Sequence, residues 1–345
     1  MEKSRNPTII DVAKEAGVSP ITASRALNNS PLVAQTTHLK VKRAAEKLNY
    51  VPNLLARSLV KQSTNIIGIV VINLANPYYD WIVHAAQQTA KERGYNLLVG
   101  QSTGNEDVEM EFLTEFQQIQ IAGLLLCPTS IESKQTTVIQ NLRIPTVFIG
   151  CQWPKGDFIA ADNETGGRLA AEHLIRLGFK KIGLIYHQLP KDGQIPLRCK
   201  GFEQKLHSVG ITIPKEWHYA VDQAIEDSGI EPADYYLSLM EKPEVFFITD
   251  DQIALSFMHR LKNAHINIPK DLAVIGYNDI EYSAYVNVPL TTIALPKKEM
   301  GKRATNLLID RIEGKIPSAK RVQEIITPKL VVRQSCGSAS RTTSL

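Results

Sequence analysis

Residues 8 to 29 read TIIDVAKEAGVSPITASRALNN, and this stretch decides the fold of the N-terminal region. Its apolar residues recur at helical spacing as far as Ala16 and predict a first helix with one apolar face. Gly17 ends this helix and supplies a tight turn. Ser19 suits the N-cap of a second helix that begins with Pro20, where the missing N–H costs nothing. Two short helices joined by such a turn predict a helix-turn-helix unit.

The outward face of the second helix is the predicted DNA-reading surface, because this helix of the motif enters the major groove. Arg25 can donate two hydrogen bonds to guanine and Ile21 can pack on a thymine methyl, whereas Pro20 can make only shape contacts. A surface ion pair is the alternative role for Arg25. Hydroxyl groups and the helix N-terminus suit phosphate contacts, which fix the register. The predicted DNA contacts of this region are Thr8, Ser19, Pro20, Ile21, Thr22, Ser24, Arg25 and Asn28.

Charge is concentrated at the same end of the chain. Residues 1–62 carry a net charge of +6, and the remaining 283 residues carry −2. A basic end on a near-neutral body favours attraction to the phosphate backbone of a nucleic acid, although a solvated charged surface would have the same composition. A third helix, predicted around Thr37 to Leu48, closes the core of the basic region.

Residues 50 to 64, YVPNLLARSLVKQST, predict a hinge. Pro52 breaks the preceding structure, and Asn53 can cap a helix of about two turns, which is too short to be stable alone in water. Once this helix is ordered, its apolar residues Leu55, Ala56 and Leu59 need a partner. A second copy of the segment is one such partner, and the DNA minor groove is another, with Leu59 wedged between base steps. A flexible linker whose leucines pack on the body is the third interpretation.

The rest of the chain alternates short apolar strands, such as NIIGIVVI and KIGLIY, with helices. Two runs of this kind predict two similar lobes with parallel sheets. In open α/β sheets, ligands bind beyond the carboxyl ends of the strands. Residues at these ends can stack on a ring or bind hydroxyls, amides or an anion, although each also suits a helix cap or a turn. The candidate effector contacts are Asn76, Tyr78, Tyr79, Arg198, Asp250 and Asn278.

The headpiece and hinge resemble those of the LacI/GalR family of transcriptional regulators, which includes lactose, galactose and purine repressors. The resemblance continues through nearly the whole chain, in TIIDVAKEAGVSPITASRALN, YVPNLLARSL, DNETGGRLAAEHLIRLGFKKIGLI, VIGYNDIE, PLTTI and PKLVVR. It implies a helix-turn-helix headpiece on a periplasmic-binding-protein-like pair of doubly wound lobes. It also implies base reading at Pro20, Ile21 and Arg25, an intercalating leucine at Leu59 beside Ala56, and a dimer on a pseudo-palindromic operator.

The resemblance also informs the effector pocket, where it implies contacts at Tyr78, Tyr79 and Arg198. A pocket asparagine of the family matches Asp250 and a pocket aspartate matches Asn278, so that amide and carboxylate are exchanged. Leu295 stands where sugar-binding members often have a polar residue, and Gly150 where they often have an acid. These departures argue against a simple lactose-type or ribose-type pocket. A sugar or sugar derivative is the preferred effector, with a purine or another metabolite as the alternative.

The sequence divides into four predicted parts. They are a headpiece over 1–50, a hinge over 51–63, a two-lobed effector-binding and dimerisation domain over 64–336, and a disordered tail over 337–345. Lobe one takes about 64–161 and 293–326, and lobe two takes about 162–292 and 327–336. The tail has no heptad leucines, so a homodimer is favoured over a tetramer.

Several other functions find little support in the sequence. No apolar run has the ~18 residues of a membrane span, and the four cysteines lack metal or disulfide spacing. The adjacent Asp250 and Asp251 should point apart, and no catalytic or nucleotide motif is present, so an enzyme, a cofactor and a metal are not expected. Met1 to Pro7 lack a signal peptide's apolar core, which favours a cytoplasmic, nucleoid-associated protein over an exported solute-binding protein.

The predicted mechanism has two states. An effector in the cleft changes the angle between the lobes and, through the hinges, the affinity for DNA. An inducer that weakens DNA binding is the hypothesis, and a co-repressor would use the same parts.

Overall fold

The computed structural model describes residues 7–51, 64–131, 139, 143–188, 193–222, 227–317 and 319–338. The chain forms two compact units, Met1–Thr64 and Asn65–Leu345. The predicted hinge contacts Asn53, Ala56 and Leu59 lie outside the described residues.

The described part of the first unit is helical. Its helices are α1 (Ile9–Ala16), α2 (Pro20–Leu27) and α3 (Gln35–Lys47). Gly17 has the left-handed φ of +65° that ends α1, and the Ser19 side chain caps α2 as predicted. Mainly small side chains fill the core, which lets the helices cross closely: Val12, Ala13, Ala23, Ala26, Val41, Ala44 and Ala45. The predicted helix-turn-helix is confirmed.

The second unit alternates strands and helices. Its strands are β1 (Ile66–Val71), β2 (Asn96–Gln101), β3 (Gly123–Leu126), β4 (Thr146–Ile149), β5 (Asp157–Ala161), β6 (Ile182–His187), β7 (His218–Val221), β8 (Val245–Ile248), β9 (Ala273–Asn278), β10 (Thr291–Ala294), β11 (Gln323–Ile326) and β12 (Lys329–Val331). Its helices are α4 (Pro77–Glu92), α5 (Glu106–Ile119), α6 (Asn163–Arg176), α7 (Gln194–His207), α8 (Ile230–Ser238), α9 (Asp251–Asn263) and α10 (Lys297–Ile312). Single turns of 3-10 helix cover Lys215–Trp217 and Glu281–Ala284.

The strands form two six-stranded sheets, which define the two lobes. Lobe one has the order β11-β5-β4-β3-β1-β2, and lobe two has the order β12-β10-β9-β8-β6-β7. All pairings are parallel except that of β12 with β10. After β10 the chain forms α10, which packs on α4, then adds β11 to lobe one and returns to lobe two as β12. The predicted pair of doubly wound lobes is confirmed.

Helices α6 and α7 cross with their backbones in contact in lobe two. A Cβ atom at Gly167 would lie 1.9 Å from the carbonyl oxygen of Arg198. A Cβ atom at Gly201 would lie 1.9 Å from the carbonyl oxygen of Glu164. The close approach therefore requires glycine at both positions. It brings the first residue of α6, Asn163, beside the first turns of α7.

Helix α7 begins earlier than the sequence indicates. Its periodicity predicts a helix from about Leu197 to Val209, whereas α7 runs from Gln194 to His207. Gly193 precedes it in an extended conformation, and Pro196 lies within the first turn. Proline is tolerated there because the N–H groups of a first turn have no partner inside the helix.

Candidate DNA-binding surface and effector cleft

The outward face of α2 carries the side chains that the sequence assigns to DNA. Ile21 exposes 66% of its surface, and Pro20, Arg25 and Asn28 are also exposed. The Asn28 amide donates to the carbonyl oxygen of Ser24 (2.9 Å). Arg25 forms no ion pair within the described part of the headpiece, so its alternative role finds no support there. A guanidinium beside an exposed isoleucine can read base edges in a major groove.

The residues before α1 and α2 are bonded locally. The Thr8 hydroxyl donates to the Asp11 carboxylate (2.7 Å), and the Ser19 hydroxyl accepts from the backbone N–H of Thr22 (3.1 Å). The side chains of Thr22 and Ser24 are half-buried. A phosphate contact by Thr8 or Ser19 therefore has to coexist with its role as a helix cap.

His38 on α3 holds the end of the recognition helix, a contact that the sequence reasoning missed. Its Nδ1 lies 2.8 Å from the carbonyl oxygen of Ala26, and its Nε2 lies 3.2 Å from that of Ser30. Both partners are acceptors, and a neutral imidazole donates to only one of them. The ring ties α3 to the last turn of α2 and to the loop that follows it. Helical spacing gives no signal for a contact between helices.

Three of the candidate effector contacts, Asn76, Tyr78 and Tyr79, lie at the start of α4 in lobe one. We call them the lobe-one wall of the cleft between the two lobes. Asn76 caps this helix by accepting from the backbone N–H of Tyr78 (2.9 Å). The rings of Tyr78 and Tyr79 meet edge to face, with centroids 4.9 Å apart. Burial raises the pKa of both tyrosines, and the nearby charge of Arg198 acts in the opposite direction. Both rings therefore lie close to a cation that belongs to lobe two.

The structure gives a reason for the unusual Gly150. This residue has a left-handed φ of +82°, and a Cβ atom built on it would lie 3.0 Å from the Tyr78 hydroxyl oxygen. The tyrosine hydroxyl occupies the space into which an acidic side chain would project. Leu295, the other departure, is 5% exposed and belongs to the apolar core against which Tyr78 and Tyr79 pack.

Arg198 on α7 is the central cation of the lobe-two wall and is 5% exposed. Its Nε donates to Oδ1 of Asn163 (2.8 Å), and its Nη1 donates to the carbonyl oxygen of Thr249 (2.7 Å). The guanidinium carbon lies 4.0 Å from the centroid of the Tyr277 ring, and the Tyr277 hydroxyl also donates to Asn163 (3.2 Å). Helices α6 and α7 and the ends of β8 and β9 thus fix one guanidinium.

Asp250 and Asn278 form a pair at the ends of the neighbouring strands β8 and β9. The Asn278 amide donates to the Asp250 carboxylate (2.8 Å), whose other oxygen accepts from the backbone N–H of Gln252 (2.8 Å). Burial raises the pKa of Asp250, while the bond from Gln252, the charge of Arg198 and a hydrogen bond from the Asn76 side chain lower it. Asn76 belongs to lobe one, so the two walls meet at this carboxylate.

The neighbouring carboxylate, Asp251, belongs to a separate network. It accepts from the hydroxyls of Thr292 (2.7 Å) and Ser283 (2.9 Å) and from the backbone N–H of Ile280 (3.0 Å). Burial raises the pKa of Asp251 to about 7, against the lowering effect of these bonds. Asp250 and Asp251 therefore have different partners, and the pair is not arranged to share a proton.

A groove of about 800 Å³ runs along α7 beside β6. His187, His207, His218 and Glu203 line part of it, and the His218 ring lies 2.9 Å from the Glu203 carboxylate. The lining includes none of the six predicted effector contacts, so the groove is distinct from the cleft described above.

The six predicted effector residues thus come together around Arg198 and Asp250. Sequence reasoning missed the residues that fix them, Asn163, Thr249 and Tyr277. Within the described ranges, no group of three His, Cys, Asp or Glu residues could hold a metal ion, and no helix is long and apolar enough to cross a membrane.

A helix-turn-helix headpiece joined to two doubly wound lobes defines a class of DNA-binding regulators with a ligand-sensing body. Two family models match the chain in this order. Residues 8–53 match bacterial regulatory proteins of the lacI family, and residues 171–336 match the periplasmic binding protein-like domain. The chain belongs to the lacI family of transcriptional regulators.

Relatives and solved structures extend this similarity to nearly the full chain. The chain is 32% identical to the HTH-type transcriptional repressor PurR of Photobacterium profundum, over 95% of this chain and 98% of the relative. It is 33% identical to the ribose operon repressor of Escherichia coli, over 95% and 99%. The structure of the lac repressor dimer bound to operator and the anti-inducer ONPF matches with a TM-score of 0.85, 26% identity and coverage of 96% and 99%.

Proposed function

We propose that this chain is a transcriptional repressor that binds a pseudo-palindromic operator as a homodimer and responds to a small-molecule effector. The observation that carries the proposal is the exposed face of α2, where Ile21 and Arg25 project from a headpiece folded as a reading unit. The net charge of +6 on residues 1–62 adds attraction to phosphates. The proposed site of action is chromosomal DNA in the cytoplasm.

A second copy of the chain is the proposed protein partner. Lobe two exposes two aromatic side chains within and directly after its 3-10 turn over Glu281–Ala284: Tyr282 is 62% exposed and Tyr285 is 85% exposed. Exposed aromatic residues are enriched at protein interfaces.

A dimer places two α2 helices on two half-sites one helical turn of DNA apart, or a multiple of it. The paired hinges, with Asn53, Ala56 and Leu59, then contact the centre of the operator.

The cleft between the lobes is the proposed effector site, and Asn76, Tyr78, Tyr79, Arg198, Asp250 and Asn278 are its proposed contacts. A relative named as the ribose operon repressor favours a carbohydrate-like effector, and a purine is the alternative. An effector that prefers one lobe arrangement shifts operator affinity by no more than its difference in affinity for the two arrangements. Induction, which releases the DNA, is the direction that we propose.

A catalytic role is not part of the proposal. Two carboxylates lie nearest to the cleft. Asp250 caps helix α9, and Asp251 accepts a hydrogen bond from the hydroxyl of Thr292 on β10. Relatives across the full length are named as repressors.

Replacing Arg25 with alanine tests the DNA-binding function. The operator is first selected from random DNA with the full-length chain, and affinity is then measured by fluorescence anisotropy on the selected and on scrambled sequences. Loss of a bidentate guanine contact removes about 1–3 kcal/mol of discrimination, so the preference for the selected sequence should fall by roughly 5- to 150-fold.

Arg43→Ala is the matched control, because it removes the same charge from an exposed position of α3. This variant should weaken binding to both DNA sequences by a similar factor, since phosphate contacts do not read sequence. The base-reading role is wrong if Arg25→Ala leaves the preference for the selected operator unchanged. The DNA-binding function itself fails if no sequence is enriched from the random pool.

A further inference from the structure

The groove along α7 beside β6 has the size of a small-molecule site. Its volume of about 800 Å³ lies within the range of ligand pockets in proteins, roughly 300–1,000 Å³. Helix α7 lines it with one face, through residues at a spacing of three or four: Pro196, Cys199, Glu203 and His207. Strand β6 contributes Leu184 and Tyr186, and Lys215 and His218 line it from the 3-10 turn and the start of β7. Three neighbouring elements therefore form one concave surface.

The groove is separate from the effector cleft, although α7 contributes to both. The side chain of Arg198 donates to Asn163 and Thr249 and does not line the groove, whereas the next residue, Cys199, does line it. Consecutive side chains of a helix point about 100° apart, so α7 presents a different face to each site. A compound in the groove therefore needs no contact with the cleft residues.

The carboxylate of the groove already has a partner. Among the described lining residues, Glu203 is the only acid, and its carboxylate lies 2.9 Å from Nε2 of His218. Nδ1 of His218 lies 3.2 Å from the carbonyl oxygen of Pro214, so both ring nitrogens face acceptors and an imidazolium can donate to both. The hydrogen bond to Glu203 raises the pKa of His218, which favours the same charged form. The negative charge of Glu203 is thus compensated within the groove.

Basic side chains of the lining are left for an outside partner. In the described parts of the chain, the side chains of Lys215 and His207 form no ion pair and no hydrogen bond, and both residues are exposed. The Lys200 ammonium lies 2.9 Å from the Glu164 carboxylate, and these side chains are 51% and 42% exposed. Exposed pairs of this kind contribute little to stability, so Lys200 can exchange Glu164 for a ligand. An anionic group in the groove thus meets basic groups and no uncompensated acid.

The rest of the lining suits an organic body better than a bare ion. Leu184 and Ile195 are buried, and Tyr186 adds a half-buried aromatic ring. Burial lowers the pKa of His187 to about 3, so this ring is neutral, and its Nε2 is buried without a partner in the described residues. Buried polar atoms are almost always bonded, and Nε2 of a neutral imidazole can donate to a ligand oxygen. Apolar surface with a few polar groups is typical of small-molecule sites.

We propose that this groove is a second ligand site, for a small organic anion that joins an apolar or aromatic body to one carboxylate or phosphate group. Lys215 binds the anionic group, Lys200 and His207 add positive charge to the same groove, and Tyr186 packs against the body. Charge-assisted hydrogen bonds to an ammonium give affinity, and the apolar surface distinguishes the compound from inorganic ions. The site goes beyond the proposed function, because it requires neither the operator nor the effector cleft.

Matched pairs of compounds test the class of ligand on the full-length chain. Calorimetric titration compares benzoate with benzamide, phenyl phosphate with phenol, and hexanoate with hexanamide, and inorganic phosphate serves as an anion without a body. We expect at least one organic anion to bind about tenfold or more tightly than its neutral partner and than inorganic phosphate. The proposal is overturned if no organic anion binds, if the neutral partners bind as tightly, or if inorganic phosphate binds as tightly as the best organic anion.

Lysine variants test the location, because residues 1–62 carry a net charge of +6 and can attract the same anions. Lys215→Met keeps most of the side chain and removes its charge, so affinity for the best anion should fall about tenfold or more. Lys262→Met is the matched control, because Lys262 is an exposed lysine of lobe two, on α9, and lies outside the lining. This variant should keep the affinity of the unmodified chain. Equal affinities for Lys215→Met and the unmodified chain would place the anion elsewhere and refute the site.

Protection of Cys199 is a second, independent measure of the location. All four cysteines are free thiols, and Cys199 is half-buried whereas the other three are buried. Iodoacetamide should therefore modify Cys199 first, although burial raises the pKa of this thiol to about 12 and keeps the reaction slow. The best anion, at saturating concentration, should slow this modification several-fold, as mass spectrometry of the digested chain would show. An unchanged rate in the presence of the bound anion would exclude the groove as its site.

Discussion

Gly201→Ala is expected to destabilise lobe two strongly, by roughly 3 kcal/mol. The new Cβ atom would lie 1.9 Å from the carbonyl oxygen and 2.8 Å from the carbonyl carbon of Glu164, and neither atom can move without moving helix α6. Helices α6 and α7 must therefore separate, at the cost that overpacking of a well-packed interior brings. Alanine favours a helix by up to ~1 kcal/mol over glycine, which offsets only part of this loss. Chemical denaturation followed by circular dichroism measures the change.

Gly210→Ala is the control for this prediction. Gly210 follows α7 with a left-handed φ of +78°, and a Cβ atom there meets nothing within 4 Å. Its substitution should therefore cost only the strain of a left-handed alanine, about 1 kcal/mol. Equal losses for the two variants would show that backbone strain, and not the contact of α6 with α7, determines stability at these glycines.

The headpiece could be predicted from the sequence because its determinants are local. Gly17 ends α1, and Ser19 and Pro20 start α2, by effects that act within one turn of the chain. The outward position of Ile21 and Arg25 follows from helical spacing alone. His38 could not be assigned in this way, because its partners on α2 and in the following loop are twelve and eight residues away.

Asp250 and Asn278 could be predicted from the sequence because ligands in open α/β sheets bind beyond the carboxyl ends of the strands. Asp250 and Asn278 follow β8 and β9, which pair in parallel, so residues at their carboxyl ends become neighbours. Their contact also explains the exchange of amide and carboxylate relative to the family. In this chain the amide of Asn278 donates to the carboxylate of Asp250. Exchanging the two residue types keeps one donor and one acceptor in the pair, so the hydrogen bond is retained.

The residues that hold Arg198 in place could not be found by the same rule. Asn163 reaches the guanidinium only because Gly167 and Gly201 let α6 and α7 touch, a contact between segments that are more than 30 residues apart. Thr249 acts through its backbone carbonyl, and every residue type supplies the same acceptor there. Side-chain identity therefore carries no signal for this contact.

Arg198→Met is expected to abolish the response to effector while DNA recognition is retained. Methionine fills much of the volume but leaves Asn163 Oδ1 and the Thr249 carbonyl oxygen without the donors that they have now. It also removes the cation 4.0 Å above the Tyr277 ring. Hydrogen bonds to charged groups contribute about 1.5–3 kcal/mol each, so a loss of ~3 kcal/mol in folding stability is expected. Effector affinity should fall by about tenfold or more, because Arg198 is one of the proposed contacts and a hydrogen bond to a charged group contributes about 1.5–3 kcal/mol.

The stability deficit of Arg198→Met should depend on pH. Burial raises the pKa of Asp250 and the charge of Arg198 lowers it, so the variant has a still higher Asp250 pKa in the folded state. A carboxyl group whose pKa is raised on folding supports the fold at low pH and destabilises it as the pH rises through that pKa. The deficit relative to the unmodified chain should therefore be smaller near pH 4 than at pH 7, as denaturant titrations at the two pH values would show.

Arg168→Met is the matched control, because Arg168 lies on the exposed side of α6 and pairs with Glu172 one turn away (3.3 Å). Exposed pairs of this kind contribute about 0.3–0.5 kcal/mol, so this variant should keep its stability and its response to effector. Operator affinity is measured for both variants by fluorescence anisotropy, with and without an effector that a thermal-unfolding screen of sugars and purines identifies for the unmodified chain. An Arg198→Met chain that still changes its operator affinity with that effector would remove Arg198 from the effector site and leave it a structural role alone.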